Sequence, residues 1–164
     1  MRRVIGLDPG LARLGYAVME YDLMPFRQRL LECGVITTSP DSDLSQRLLV
    51  IYKDLTEILR HFKPEEAAVE LIYFAKNIKT AITVSHARGV ILMSLAKYGI
   101  SEIQEFTPTQ LKQILFGNGR ASKNQIQSIV SYTLDLPGTI KPDDAADAVA
   151  LALATIRSQI HTQI

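Results

Sequence analysis

The sequence is poor in cysteine, because Cys33 is the only one among 164 residues. A single cysteine cannot form an intrachain disulfide, and this composition is typical of the reducing cytoplasm. No hydrophobic run approaches the roughly 18 apolar residues that a membrane span requires. The first residues also lack the apolar segment and small-residue cleavage site of a secretory signal peptide. We therefore expect a cytoplasmic protein that does not contact a membrane.

An excess of charge of one sign is also missing. The chain carries 18 Lys+Arg and 17 Asp+Glu, which leaves a net charge of +1. Taken alone, this balance predicts neither a nucleic-acid partner nor an acidic one. The charges are nevertheless unevenly distributed, because residues 71–134 contain seven basic and two acidic side chains. The middle of the chain is therefore basic, and the remainder is acidic.

What the sequence does contain is a regular succession of hydrophobic patterns. Short apolar runs between turn residues predict strands, and apolar residues at intervals of three and four predict helices. The predicted strands are residues 3–8, 15–21, 30–37, 67–70 and 102–106, and the predicted helices are residues 44–62, 78–98, 110–116, 123–134 and 143–159. Short connections favour an antiparallel meander for the first three strands, and the later alternation favours βαβ units. We expect a single α/β domain over residues 1–164, with a mixed five-stranded sheet flanked by helices.

The ends of two predicted helices carry capping residues. Thr107, Pro108 and Gln110 have the spacing of an N-cap, a proline at the first helical position and a glutamine at the third. Gly99 follows the predicted helix over residues 78–98, at the position where glycine ends many helices. These residues fix where both helices are expected to begin or end.

The predicted helix over residues 78–98 has two apolar stripes. One stripe comprises Val84, Ala87, Ile91 and Leu95, and the other comprises Ile82, Gly89, Val90 and Met93. A single sheet can cover only one stripe of a helix. A partner subunit is one way to cover the second stripe.

Four acidic residues lie where predicted elements end or begin. Asp8 and Glu70 end the first and fourth strands, and ligands of open α/β sheets bind at such carboxyl ends. Asp144 and Asp147 lie three residues apart at the start of the last helix, so they share a face. Four adjacent carboxylates require a compensating positive charge, and hard cations such as Mg²⁺ provide it. Two such ions can activate water for attack on a phosphodiester and stabilise the leaving oxygen.

Each acid also has a structural interpretation. Asp8 precedes Pro9 and Gly10 and can be a turn residue, and Asp143 or Asp144 can cap the last helix. Glu70 is harder to explain structurally, because a charge that ends an Ala-Val strand is poor sheet design unless it has a function. Considered together, the four acids favour a catalytic metal site.

Aromatic and basic residues near the acids predict a nucleic-acid interface. The candidates are Tyr73, Phe74, Lys76, Lys79, Lys112, Arg120 and Lys123. An aromatic ring beside a phosphodiester site can stack on bases, and nearby lysines can bind phosphates. Core packing is the alternative for Phe74. Residues 106–134 contain no acidic side chain, and a solvated basic face is the alternative there.

Short motifs recur in order over nearly the whole chain. They are Val4-Ile5-Gly6-Leu7-Asp8-Pro9-Gly10-Leu11-Ala12-Arg13, Val69-Glu70, Ala75-Lys76-Asn77, Ala87-Arg88-Gly89-Val90, Thr107-Pro108 with Gln110, Gly117-Asn118-Gly119, and Asp144-Ala145-Ala146-Asp147-Ala148. Together they resemble the motifs of RuvC, the family of bacterial Holliday junction resolvases. The resemblance implies a ribonuclease H-like fold and Mg²⁺-dependent paired nicking of four-way DNA junctions, leaving 5′-phosphate and 3′-hydroxyl ends.

The same resemblance implies partners and cofactors. It implies a homodimer that cooperates with the branch-migration proteins RuvA and RuvB in homologous recombination and DNA repair. It also implies two Mg²⁺ ions per active site, with Mn²⁺ able to substitute.

Individual residues can be matched to the family pattern. Asp8 and Glu70 match the family's first two catalytic acids, and Asp144 and Asp147 match its final pair. Lys112 and Lys123 fall where the family has lysines important for DNA and catalysis. The chain departs from the pattern at two positions, with Tyr73 where the family usually has phenylalanine and His86 where it usually has glutamine.

Three other functions are compatible with parts of this pattern. One is a ribonuclease H-like nuclease that acts on RNA or RNA–DNA hybrids, and another is a junction-binding protein whose acids are inert. The third interprets Asp8, Gly10 and Gly15 as the phosphate loop of a sugar kinase with an actin-like fold. Such kinases need two lobes, and 164 residues make only one.

Overall fold

The fold is built on one sheet of five strands. The computed structural model describes the backbone of residues 1–71 and 78–162, and the side chains in these ranges except at positions 78–80, 123, 161 and 162. The strands are β1 (Arg2–Asp8), β2 (Arg13–Leu23), β3 (Phe26–Thr37), β4 (Glu66–Glu70) and β5 (Glu102–Phe106). Their order is β3-β2-β1-β4-β5, antiparallel among the first three and parallel from β1 to β5. This confirms the predicted mixed sheet.

In the described part of the chain, five helices cover the two faces of the sheet. They are α1 (Leu44–Phe62), α2 (Ile78–Tyr98), α3 (Pro108–Phe116), α4 (Lys123–Thr133) and α5 (Asp143–Thr162). Successive residues of a strand point to opposite faces, so β1 serves both layers. Val4 packs with residues of α3, α4 and α5, whereas Ile5 and Leu7 pack with residues of α1 and α2. Within the described ranges, no helix combines the length and hydrophobicity needed to cross a bilayer.

The first hairpin is longer than the sequence predicts. β2 and β3 stay paired as far as Leu23 and Phe26, with only Met24 and Pro25 between them. The apolar alternation ends earlier, because this tip projects beyond the core and Met24 and Phe26 are exposed. Main-chain pairing therefore continues where side-chain periodicity gives no signal.

The predicted helix ends are confirmed. Thr107 and Gln110 form both hydrogen bonds of a capping box at the start of α3, with Pro108 in its first turn. Gly99 follows α2 with a positive φ of 95°, and its N–H donates to the carbonyl of Leu95. A second capping box, between Ser122 and Gln125, begins α4.

Helix α5 is buried more widely than predicted. Its pattern suggests one inner face with Val149, Leu153, Ile156 and Ile160. In the structure, every residue from 148 to 156 is buried, because α5 lies between the sheet and the pair α3 and α4. Alanines on several sides of α5 allow this close packing. A Cβ added to Gly6 of β1 would lie only 2.0 Å from the main-chain oxygen of Ala148.

Candidate active site

Asp8 and Glu70 lie together at one edge of the sheet. β1 and β4 are adjacent and parallel, and Leu7 pairs with Val69 at the end of their register. Asp8 and Glu70 are the next residues of the two strands, and both are half-buried. The structure therefore places both acids at neighbouring carboxyl ends, as the sequence predicts.

The start of α5 brings Asp144 to the same edge. Asp8 pairs with Gly15 across β1 and β2, and a Cβ added to Gly15 would lie 2.0 Å from the main-chain oxygen of Asp144. Only glycine permits this approach of helix to strand. The backbone of Asp144 therefore contacts the position directly beside Asp8.

The substitution Gly15→Ala tests this close approach. The added methyl group meets main chain rather than a flexible side chain, so α5 must shift away from β2. We expect the free energy of unfolding to fall by about 2 kcal/mol, measured by thermal melting. Gly138→Ala is the matched control, because no described atom lies within 4 Å of its added Cβ. Equal melting temperatures for the two variants would contradict the close packing.

Glu70 and Asp147 line one small cavity, which we call the Glu70 cavity. It has a volume of about 190 Å³ and is also lined by Pro108, Leu111, Lys112 and Ile126. Lys112 therefore stands beside two of the predicted acids, although 42 residues of sequence separate it from Glu70. An ammonium group in this position can stabilise negative charge at a reacting phosphate.

Asp144 faces a second, larger cavity of about 450 Å³. This cavity is lined by residues 10–12 of the β1–β2 loop and Arg13 at the start of β2, by Arg47 of α1, by Thr83 and Val84 of α2, and by Asp144. We call it the arginine cavity. The Nε of Arg13 lies 3.2 Å from a carboxylate oxygen of Asp144. No sequence pattern predicted a role for Arg47, whereas Arg13 lies five residues after Asp8, which could have marked it as a neighbour of the site.

The donor chemistry at this edge fits a hard cation. Asp8, Glu70, Asp144 and Asp147 offer only carboxylate oxygens, which Mg²⁺ prefers over nitrogen and sulfur ligands. Among the described residues, however, no group of three or more His, Cys, Asp or Glu side chains is arranged closely enough to hold a metal ion. Asp144 is instead paired with Arg13. The structure thus assembles the donors at one edge without closing them into a coordination shell.

The predicted DNA-binding residues are only partly described. Tyr73, Phe74 and Lys76 lie outside the described residues, as do the side chains of Lys79 in α2 and Lys123 in α4. Arg120 is exposed in the loop between α3 and α4, where its N–H donates to the side chain of Asn118. His86 is exposed on α2.

Comparison with known proteins identifies similar sequences. A protein-family model described as "Crossover junction endodeoxyribonuclease RuvC" matches residues 4–155. A relative of that name from Roseiflexus sp. (strain RS-1) is 47% identical over 151 residues, covering 92% of this chain and 88% of the relative. The residues matched by the family model therefore include all four candidate acids and the lining residues of both cavities.

Two solved structures have the same fold. Thermus thermophilus RuvC superposes with a TM-score of 0.89 at 32% identity, covering 98% of this chain and 96% of the other. T. thermophilus RuvC in complex with a Holliday junction substrate superposes with a TM-score of 0.91 at 31% identity, covering 99% and 97%. This similarity confirms the ribonuclease H-like fold.

Proposed function

This chain belongs to the RuvC family of crossover junction endodeoxyribonucleases, and from that premise we propose that it resolves four-way DNA junctions by paired, symmetric nicks. The observation that carries the proposal is the edge of the sheet where Asp8, Glu70 and the start of α5 meet, with Lys112 in the Glu70 cavity. Carboxylates that can hold metal ions, with a lysine beside them, suit phosphodiester hydrolysis. We place the reaction in homologous recombination and DNA repair.

We propose that Asp8, Glu70, Asp144 and Asp147 are the catalytic acids and hold two Mg²⁺ ions, with Mn²⁺ able to substitute. When bound, such ions activate a water molecule and stabilise the leaving oxygen. The strand ends position Asp8 and Glu70, and the first turns of α5 position the other two acids. In the structure, Arg13 pairs with Asp144 and compensates its negative charge. Products with 5′-phosphate and 3′-hydroxyl ends follow from the family resemblance.

DNA binding is proposed for the basic middle of the chain. The proposed contacts are Tyr73, Phe74, Lys76, Lys79, Lys112, Arg120 and Lys123. Lys112 lines the Glu70 cavity and Arg120 is exposed, which supports phosphate contacts by these two. Such contacts release counterions from DNA, so binding should weaken as salt concentration rises, despite a net charge of only +1.

Cleavage of a synthetic four-way junction tests the proposed function. We expect Mg²⁺-dependent nicks at symmetric positions in two strands, and little cutting of a linear duplex of the same sequence. An RNA–DNA hybrid at equal concentration provides the third substrate. Equal cutting of junction and duplex, or preferred cutting of the hybrid, would refute junction resolution.

We further propose a homodimer formed through α2. Its first stripe packs in the core, with Ala87, Ile91 and Leu95 fully buried. In its second stripe, Ile82 is 53% and Met93 52% exposed, whereas Val90 packs partly buried against the core. A two-fold dimer with this stripe at its interface would present two active sites to a two-fold-symmetric junction.

A charge in the second stripe should disrupt this dimer. Ile82→Glu is expected to shift the protein from dimer to monomer, because an unpaired carboxylate is costly to bury at an interface. Light scattering coupled to gel filtration measures the mass. Tyr132→Glu is the control, because Tyr132 is exposed on α4. If both variants keep the mass of the wild type, the interface lies elsewhere.

We propose that the protein cooperates with RuvA and RuvB, as the family resemblance implies, and that residues 1–164 act as one nuclease domain. The single cysteine, Cys33, supports a place of action in the reducing cytoplasm.

A further inference from the structure

The arginine cavity contains basic groups for which the proposed roles of the four acids give no function. Two guanidinium groups, those of Arg13 and Arg47, line it together with the single carboxylate of Asp144. In the described part of the chain, Arg47 forms no ion pair, and Asp144 is the only acid paired with Arg13. The cavity therefore has an excess of positive charge and suits an anion.

Arg47 is held in place by a chain of hydrogen bonds. Its Nε donates to the hydroxyl of Thr38 at 2.8 Å, and that hydroxyl donates to the carbonyl of Leu11 at 2.6 Å. Thr38 is buried, and its N–H donates to the carbonyl of Ala12 at 3.1 Å. These bonds fasten the guanidinium to the loop that follows Asp8. A guanidinium has five N–H donors in a planar fork, so the terminal amino groups of Arg47 remain for a ligand.

Arg13 connects the cavity to the candidate active site, because it lines the cavity and pairs with Asp144. Its Nε edge faces Asp144, and its side chain is 57% exposed. A planar guanidinium can contact a carboxylate along one edge and a phosphate along another. Arg13 can therefore bind an anion in the cavity without leaving Asp144.

Apart from Thr83, the rest of the lining has no polar side chain and matches a sugar better than a second anion. Leu11, Ala12 and Val84 contribute hydrocarbon surface to the cavity. A nucleic-acid strand alternates charged phosphates with largely apolar sugar faces, so both kinds of surface would be used. A free inorganic anion would leave the apolar part uncovered.

We infer that the arginine cavity binds a backbone phosphate of the cut DNA strand next to the phosphate that is cleaved. Arg13 and Arg47 hold this phosphate, and the apolar wall contacts the adjoining sugar. The inference rests on the proposed function, because it takes the strand at Asp144 to be DNA. Holding a flanking phosphate fixes the register of the strand over the acids, which accelerates reaction by orientation.

Neutral phosphate analogues test this inference directly. Single methylphosphonates are placed at each of the phosphates flanking the cut in a synthetic four-way junction, and affinity is measured by fluorescence anisotropy in EDTA. Arg47→Gln should weaken binding of the unmodified junction about tenfold, as expected for a lost charge-assisted hydrogen bond. The slope of log affinity against log salt should fall by about 0.9 for the one phosphate released.

The decisive result is that, at one phosphate position, the losses of affinity caused by the methylphosphonate and by Arg47→Gln do not add. There, the methylphosphonate should weaken the wild type about tenfold but should weaken Arg47→Gln little further, because the partner is already absent. Arg13→Gln changes an exposed side chain and should show the same coupling, so the test does not depend on one variant folding. Arg47→Lys should recover part of the lost affinity, because it keeps the charge but not the fork.

Arg27→Gln is the charge-matched control. Arg27 is exposed on β3 near the hairpin tip, at the opposite end of the strands from Asp8. It should respond to every methylphosphonate as the wild type does. If Arg47→Gln and Arg13→Gln behave like Arg27→Gln, or if their losses add to the methylphosphonate loss at every position, the inference is wrong. Failure of the wild type to prefer a junction over a duplex would instead refute the proposed function.

Discussion

Replacing Asp8 by asparagine should abolish Mg²⁺-dependent junction cleavage and leave junction binding intact. Asparagine has nearly the same shape, so the half-buried site at the end of β1 should keep its packing. It lacks the negative charge that a hard cation requires. Removing one group that stabilises transition-state charge costs about 10²- to 10³-fold in kcat, and we expect a loss at least that large. Single-turnover cleavage and anisotropy in EDTA measure the two properties separately.

The matched control for this experiment is Asp54→Asn. Asp54 is exposed in α1, so its substitution makes the same change of charge away from the candidate site. It should cut junctions as the wild type does. Nicking by Asp8→Asn at the rate of Asp54→Asn would overturn the active-site assignment, and equal loss of binding and cleavage would indicate that Asp8 serves folding rather than catalysis.

The variant Glu66→Ala should lose about 3 kcal/mol of unfolding free energy, the low end of the cost of breaking a buried pair. Glu66 is only 1% exposed. Its carboxylate accepts hydrogen bonds from Tyr21 at 2.6 Å and Gln159 at 3.3 Å, and it pairs with the Nε of Arg2 at 2.9 Å. Burial and the bond to Glu66 raise the pKa of Tyr21, so this hydroxyl stays a donor. Truncation would leave it buried and unsatisfied.

Thermal melting measures this effect against two controls. For a domain of this size, a loss of 3 kcal/mol lowers Tm by roughly 10 °C. Glu102→Ala removes the other carboxylate that pairs with Arg2, but Glu102 is 63% exposed, so less than about 1 kcal/mol is expected. Glu66→Gln keeps hydrogen-bonding capacity and should lie between them. If Glu66→Ala and Glu102→Ala melt together, the buried network contributes nothing measurable.

The sequence predicted the candidate site better than it predicted the contacts around the site. Asp8 and Glu70 are recognisable because each ends a buried strand, and the strand order then brings the two strand ends together. The pairing of Asp144 with Arg13 has no comparable pattern, because it depends on how closely α5 approaches β2 at Gly15. Arg13 and Arg47 belong to one site only because four separate segments of the chain enclose one cavity.

The sequence by itself determined the order of the strands and helices along the chain and the distribution of charge. Periodicity, glycines and capping residues determined the five strands, the five helices and several of their ends, because these depend on neighbours along the chain. The tertiary structure decided which distant residues meet, such as Tyr21 with Glu66 and Glu70 with Lys112. It also decided the burial of α5 on several sides. The physical reason is that periodicity specifies which residues are apolar, whereas long-range contacts depend on sheet order and on how closely the layers pack.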